Sequence, residues 1–149
     1  MAASEPSSDQ TRESRTIRIP ALLQSLADAM TFLGTASTEL ALSPRVTHQL
    51  QLAAEEAFVN IVQHSAGATG GGAVTTALTL RVESDRCVLL VQDDGKPFDP
   101  TQLPLADVRA SLTERKPGGL GVHLIRTLMD GVRYTSENGL NTLTLTKRL

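Results

Sequence analysis

The stretch at residues 53–64, Ala-Ala-Glu-Glu-Ala-Phe-Val-Asn-Ile-Val-Gln-His, constrains the fold of this chain more than any other. Residues four positions apart lie on the same face of an α-helix. Helical geometry therefore places Glu56, Asn60 and His64 on one polar stripe, beside an apolar stripe that ends at Ile61. The spacing predicts a helix that packs one face against a core and presents an acid and an amide on another.

Glu56 and Asn60 combine two kinds of chemistry one helical turn apart. A carboxylate can accept a proton from water or a hydroxyl group. An amide oxygen is a hard ligand that suits Mg²⁺. A solvated helix face would also carry these residue types, so the pair alone leaves both interpretations open.

Composition limits the class of protein. A chain of 149 residues suits one domain, and with 40% hydrophobic but only 3% aromatic residues the core must consist of Leu, Val, Ile and Ala. The net charge of −2 and the absence of a long basic run argue against nucleic acid as a partner. The single cysteine, Cys87, excludes an intrachain disulfide and a multi-cysteine zinc site, and its apolar surroundings predict a core position.

The termini and hydropathy indicate a soluble, cytoplasmic protein with no membrane partner. The N-terminus has no apolar signal region, and no run of about 18 apolar residues occurs. Residues 1–13 are rich in Ser, Ala, Thr and charge, which predicts a disordered tail followed by one folded domain over residues 14–149.

The remaining pattern predicts alternating helices and strands. Ser43 and Pro44 form a typical helix start, with Ser as the N-cap and Pro at the first helical position. Asn138-Gly139 is a strong hairpin signal. The predicted elements are a strand at 15–19, helices at 21–40 and 44–65, strands at 73–83 and 86–92, a third helix from 118 to about 130, and strands at 132–136 and 140–147.

Two further segments carry polar or glycine-rich motifs. Asp93-Asp94-Gly95 follows a nearly continuous apolar strand, a position where sheet proteins often bind ligands. The long connection at 96–118, with a short helix predicted at 105–112, is typical of a binding loop or lid. It ends in a glycine cluster whose backbone N–H groups and helix dipole would favour an anion, although the Walker and dinucleotide-binding patterns are both absent.

Taken in order, these motifs resemble the GHKL ATPase superfamily, and within it the bacterial RsbW/SpoIIAB family of anti-sigma factors and serine kinases. Residues 56–60 look like that family's N box, and 93–99, Asp-Asp-Gly-Lys-Pro-Phe-Asp, like its first glycine box. Residues 118–125, Gly-Gly-Leu-Gly-Val-His-Leu-Ile, together with 128–130, look like its second glycine box. The resemblance covers residues 14–149 and implies a two-layer α/β (α+β) sandwich. Its mixed, mostly antiparallel sheet would be covered on one face by three main helices.

The resemblance implies ATP and Mg²⁺ as cofactors and a role for each motif residue. Glu56 would be the general base for a serine hydroxyl, Asn60 would bind Mg²⁺, and Asp93 would accept a hydrogen bond from the adenine amino group. Gly95 would let the backbone pass close to the base. Further residues implied around the nucleotide are Gln63, His64, Arg115, Lys116, Gly118, Gly119, Leu120, Gly121, Val122 and Thr144.

Simpler roles stay open for several of these residues. Asp93 or, more readily, Asp94 would also serve as a turn-capping aspartate. Arg115 and Lys116 would fit a solvated loop, and His64 a helix-end cap.

One position departs from the superfamily pattern, and the branch that this change favours implies particular protein partners. Pro97 stands where many superfamily members carry a second glycine, a change that favours the serine-kinase branch over sensor histidine kinases. That branch implies phosphorylation of a STAS-type anti-sigma antagonist and sequestration of a sigma factor or another regulator. It also implies a homodimer through the first strand and helix, where Phe32 and Leu33 look exposed. The alternatives are a nucleotide-binding partner switch without kinase activity and an α/β domain with no nucleotide site.

Overall fold

The computed structural model describes residues 13–66, 73–102 and 119–149. Short 3₁₀ turns cover Leu23–Ser25 and Pro100–Gln102, and a π-helical segment covers Ile61–Ala66. The main elements within these ranges are β1 (Ser14–Pro20), α1 (Leu26–Glu39), α2 (Pro44–Asn60), β2 (Thr75–Glu83), β3 (Arg86–Asp93), α3 (Gly119–Leu128), β4 (Gly131–Glu137) and β5 (Leu140–Arg148).

The five strands form one sheet in the order β1-β2-β3-β5-β4. All four pairings between these strands are antiparallel, so no described pair supplies the parallel part of the predicted mixed sheet. Two tight hairpins, β2–β3 and β4–β5, account for much of this arrangement. Asn138 and Gly139 connect β4 to β5 with φ values of 53° and 77°, as a two-residue hairpin turn requires.

The helices pack on one face of this sheet. Alternate residues of β3 and β5, such as Leu89 and Leu145, are fully buried and belong to the same apolar cluster as Leu33, Leu50 and Phe58 of the helices. Cys87 is buried there too, as predicted, and burial raises the pKa of its thiol to about 11. The predicted two-layer fold is therefore confirmed.

The start of the first helix differs from the prediction. Ala21 donates its N–H to the Val74 carbonyl at 2.9 Å, and the Leu22 N–H donates to the Pro20 carbonyl at 2.9 Å, so these two residues form a turn after β1 and not the start of a helix. The surface predicted for a homodimer also needs correction, because Leu33 is fully buried and Phe32 is half-buried. The apolar side chains exposed near this helix are instead Leu22 and Leu23.

Two predicted segments fall outside the described ranges, namely the N-terminal tail up to residue 12 and the short helix at 105–112. Across the described ranges, no helix has the length and apolar character needed to cross a membrane.

Helix α2, which carries the polar stripe, begins as predicted. The Ser43 hydroxyl oxygen accepts a hydrogen bond from the Val46 N–H at 3.2 Å, and Pro44 occupies the first helical position. This bond satisfies one of the amide groups that a helix start leaves without a partner.

We expect Ser43→Ala to lower the free energy of unfolding by about 1 kcal/mol, because the substitution removes the cap but no buried surface. Urea denaturation followed by circular dichroism would measure it. Ser43→Asp is the matched control, since a carboxylate oxygen can cap the same N–H and should preserve stability. Equal unfolding midpoints for the two variants would contradict a capping role.

Candidate functional site

A pocket lies between the end of α2 and the helix-facing side of the sheet. The pocket is partly open to solvent, and the space between its walls, counted with that open part, is about 290 Å³. Its lining residues come from α2, the π-helical segment, three strands and the loop after β3: Ala57, Asn60, Ile61, Ser65, Val91, Asp93, Phe98, Pro100, Tyr134 and Leu143.

Asp93 is the buried acid of this pocket, with 5% of its surface exposed. Its Oδ1 accepts hydrogen bonds from Asn141 Nδ2 at 2.9 Å and from the Gly95 N–H at 3.0 Å. Burial raises the pKa of the Asp93 carboxyl, these two donors oppose that rise, and the neighbouring charge of Asp94 adds to it. No described residue donates a hydrogen bond to Oδ2, which leaves that oxygen available to a ligand.

Asp94 has a structural role, but it is not the turn cap that the sequence left open, because the contact within the turn is made by Asp93. Asp94 Oδ1 accepts the Thr75 N–H at 2.8 Å, which holds the start of β2 against the end of β3. Asp93 also shapes the turn through its bond to Gly95, so the two interpretations of Asp93 are compatible.

Gly95 brings the loop after β3 against the end of α2. A Cβ atom at this position would lie 2.9 Å from the Ser65 carbonyl oxygen and 3.0 Å from its carbonyl carbon. The next amide, that of Lys96, donates to the same oxygen at 3.3 Å. Ser65 belongs to the π-helical segment, a geometry often found at functional sites. The pocket therefore depends on the absence of a side chain at Gly95.

Glu56 lies one turn before Asn60 and meets the beginning of α3. A Cβ atom at Gly121 would overlap Glu56 Oε2, so a side chain at this position would require the carboxylate to move. Burial, and next the charge of Glu55, raise the pKa of Glu56. A carboxyl group with a raised pKa suits proton transfer near neutral pH.

Asn60 is 4% exposed and lines the pocket. Its Nδ2 atom is buried and has no hydrogen-bond partner within the described ranges. An amide left without a partner in a pocket wall is expensive unless a ligand or a metal-bound water completes it.

Two aromatic residues close the side of the pocket next to β4. The Phe98 ring stacks on the His64 ring, with centroids 3.9 Å apart and planes at 12°. The Phe98 N–H donates to the Tyr134 hydroxyl at 3.1 Å. His64 thus packs against the loop after β3, and its Nε2 atom is buried without a partner in the described part of the chain.

Other predicted residues lie elsewhere. Thr144 pairs with Leu90 and Arg133, on the face of the sheet opposite to Asp93, so its predicted place in the pocket is corrected. Gln63 is exposed. The backbone of Gly119 and Leu120 begins α3, followed by the buried Gly121 and Val122, whereas Arg115, Lys116 and Gly118 lie outside the described residues.

The sheet brings three further residues, none of them predicted from the sequence, to the pocket or to Asp93: Asn141, Ser136 and Tyr134. Asn141 lies directly across from Asp93 and from Ser136. One signal could have found Asn141. It stands two residues before Leu143 and shares the inward parity of that apolar strand, where a polar residue needs a partner.

We expect Gly95→Ala to lower the free energy of unfolding by about 1–3 kcal/mol, because the new methyl group would press on backbone atoms of Ser65 that cannot rotate away. Urea denaturation would measure the change. Gly34→Ala is the matched control, since its methyl group would make only an ordinary contact of 3.5 Å with Gln51 and should stabilise the helix by up to about 1 kcal/mol. A stable Gly95→Ala protein would contradict the close packing described here.

Comparison with known proteins identifies the family. Residues 19–147 match the family described as the histidine kinase-like ATPase domain. The chain is 34% identical over 131 residues to the serine/threonine-protein kinase BtrW of Bordetella bronchiseptica, a match that covers 88% of this chain and 91% of that protein.

Two further relatives are serine-protein kinases named RsbW. That of Halalkalibacterium halodurans is 34% identical over 104 residues, covering 67% of this chain and 61% of the relative. That of Bacillus subtilis is 36% identical, covering 67% of this chain and 63% of the relative. The chain thus spans about three-fifths of the length of these two proteins. With the fold, the site and these matches in agreement, the chain belongs to the histidine kinase-like (GHKL) ATPase family, and its similarity to RsbW-type serine kinases is confirmed.

Proposed function

We propose that this protein is an ATP-dependent protein serine kinase that acts in a partner switch. The observation that carries the proposal is the convergence of three distant motifs. Asn60 and Asp93 line one pocket, and Gly121 at the start of α3 abuts Glu56 one turn away. The names of the relatives, all serine or serine/threonine kinases, support the same activity.

The pocket fits an adenine base. Asp93 Oδ2 is the acceptor available to the exocyclic amino group, and Ile61, Val91 and Leu143 supply apolar walls for the faces of the ring. The phosphates would extend towards the beginning of α3, where backbone N–H groups and the helix dipole favour negative charge. In this pose Glu56 lies at the phosphate end.

Asn60 is the residue that would hold Mg²⁺. Its amide is buried in the pocket wall, and its Oδ1 atom would be the metal ligand. Its Nδ2 atom, a donor that lacks a partner among the described residues, would bond to a phosphate oxygen or a metal-bound water. Mg²⁺ usually takes one or two protein ligands and completes its shell with phosphate and water. When bound, the metal neutralises charge on the phosphates.

Glu56 would act as the general base. It accepts the proton of the partner's serine hydroxyl while that oxygen bonds to the γ-phosphorus and the bond to ADP breaks. Burial raises the pKa of Glu56 and so strengthens it as a base, while its contact with the start of α3 keeps it next to the phosphates.

The partners follow from the resemblance to the RsbW/SpoIIAB family. The phosphorylated substrate would be a STAS-type antagonist, and the second partner a sigma factor or another regulator. We also propose that the protein acts in the cytoplasm as a homodimer. A partner switch that binds nucleotide without transferring phosphate is the alternative, and the following experiment separates the two.

We expect Glu56→Gln to reduce phosphoryl transfer to the antagonist serine by about 10²–10⁴-fold, because the amide cannot accept the proton. ATP affinity should stay within a few-fold of the original. Transfer of ³²P from ATP and calorimetric ATP titration would measure the two effects. Absence of transfer by the wild-type protein with every available antagonist, together with tight ATP binding, would favour the non-catalytic switch.

Glu55→Gln is the matched control and adds a pH prediction. As general base, Glu56 works only when ionised, so transfer should fall as the pH drops through its raised pKa. Removing the charge of Glu55 removes one cause of the rise, so the acidic limb of the kcat/KM profile should move to lower pH. An unchanged profile in Glu55→Gln would contradict the assignment of Glu56.

We expect Asn60→Ala to abolish most of the contribution of Mg²⁺ to ATP binding, a loss of about 10-fold or more in affinity. Calorimetric titration of ATP with Mg²⁺ and with EDTA would measure it. Gln24→Ala removes an exposed amide from the 3₁₀ turn before α1 and should change neither value. The same dependence on Mg²⁺ in Asn60→Ala and the wild-type protein would contradict the metal assignment.

A further inference from the structure

The amide of Asn141 fixes the carboxylate of Asp93 in one orientation. Asn141 is 1% exposed, and its Nδ2 donates both to Asp93 Oδ1 at 2.9 Å and to the Gly95 carbonyl oxygen at 3.0 Å. Its Oδ1 accepts the Ser136 hydroxyl at 2.7 Å. Turning the amide over would set its oxygen against two acceptors, so the network allows only one orientation.

Acidic groups surround Asp93 more than basic ones do. Asp94 follows it in the turn after β3, Tyr134 of β4 lies near it, and Asp99 lies near Tyr134 on the loop after β3. His64 of the π-helical segment stacks on that loop. Among the described residues, no lysine or arginine forms an ion pair with Asp93.

The two N–H donors, from Asn141 and Gly95, are therefore the contacts that favour the ionised carboxylate. The Gly95 donor belongs to the backbone of the turn. Of the two donors, only that of Asn141 belongs to a side chain, so a substitution can remove it.

We propose that Asn141, held by Ser136, makes this pocket select adenine over guanine. By occupying Asp93 Oδ1, it leaves Oδ2 as the carboxylate oxygen that can accept a hydrogen bond from a base in the pocket that Asp93 lines. The proposal rests on the ATP site proposed above, and it assigns the choice of base to a residue outside the three sequence motifs.

The chemistry of the two bases explains the selection. Adenine carries an amino group at position 6, a donor, whereas guanine carries a carbonyl there, an acceptor. A carboxylate oxygen pairs with the first and leaves the second unpaired in a buried site, which is strongly unfavourable. A protonated carboxyl could instead donate to the guanine carbonyl, so discrimination requires Asp93 to stay ionised.

The direction of the pKa shift agrees with this role. Burial raises the pKa of Asp93, and the hydrogen bond from Asn141 is the first of the effects that lower it again. Without that bond the pKa would rise further, and the protonated form would persist to higher pH. Nucleotide binding that needs the ionised form would then be lost at a higher pH as the solution is acidified.

The test compares ATP and GTP affinities from pH 5 to 8 in the wild-type protein, Asn141→Leu, Ser136→Ala and Thr142→Val. Thr142 neighbours Asn141 on β5 but accepts a bond from Gln92 on the opposite face, so it controls for changing this strand. ¹³C NMR titration of the Asp93 carboxyl in the nucleotide-free proteins gives a readout that does not depend on ATP. Ser136 is exposed, so Ser136→Ala remains informative if Asn141→Leu does not fold.

We expect the wild-type protein to prefer ATP by about 100-fold or more. Asn141→Leu should reduce this preference roughly 10-fold and move both the binding midpoint and the Asp93 titration to higher pH. Ser136→Ala should change the ATP preference, the binding midpoint and the Asp93 titration in the same direction by a smaller amount. Thr142→Val should change none of these three quantities.

Two different results would each refute a different part of the proposal. ATP binding by the wild-type protein with unchanged preference and titration in both variants would refute the role of Asn141 alone. Failure of the wild-type protein to bind ATP at any pH would refute the proposed ATP site and base selection together.

Discussion

The approach of the turn after β3 to the end of α2 is the constraint on which the site depends. Gly95 lies so close to the Ser65 carbonyl that a single methyl group would push the two segments apart. The contact is backbone against backbone, reinforced by the Lys96 N–H, so side-chain rotation cannot relieve it. Asn60, just before the π-helical segment, and Asp93, at the end of β3, line one pocket.

The carboxyl groups of Asp93 and Glu56 differ in their surroundings and therefore in what they can do. Burial raises the pKa of both. Asp93 has two N–H donors that favour its charge, which suits a fixed acceptor. Glu56 has a neighbouring acid, Glu55, that raises its pKa further, which suits a group that takes up a proton. The same functional group thus has two different environments in one fold, which suit the proposed recognition role of Asp93 and the proposed catalytic role of Glu56.

Several local features could be predicted because each depends on a few neighbouring residues. Ser43 and Pro44 start α2, and Asn138-Gly139 turns the last hairpin with the positive φ values that such a turn needs. The polar stripe of Glu56 and Asn60 follows from helical periodicity alone. The order of the motifs then indicated the family, which the comparisons confirm.

The remaining features depend on contacts between residues far apart in the chain. Thr144 looked like a pocket residue, but the register of β5 against β3 turns it to the other face and places Asn141 beside Asp93. The hydrogen bond from Ala21 to Val74 holds the chain in a turn, so that the first α-helix begins at Leu26 and not at residue 21. Packing between the layers buries Leu33. Periodicity along the chain thus decided which residues share a helix or strand. Only strand register and the packing of helices on the sheet decided which of them meet, because those distances are not encoded in local spacing.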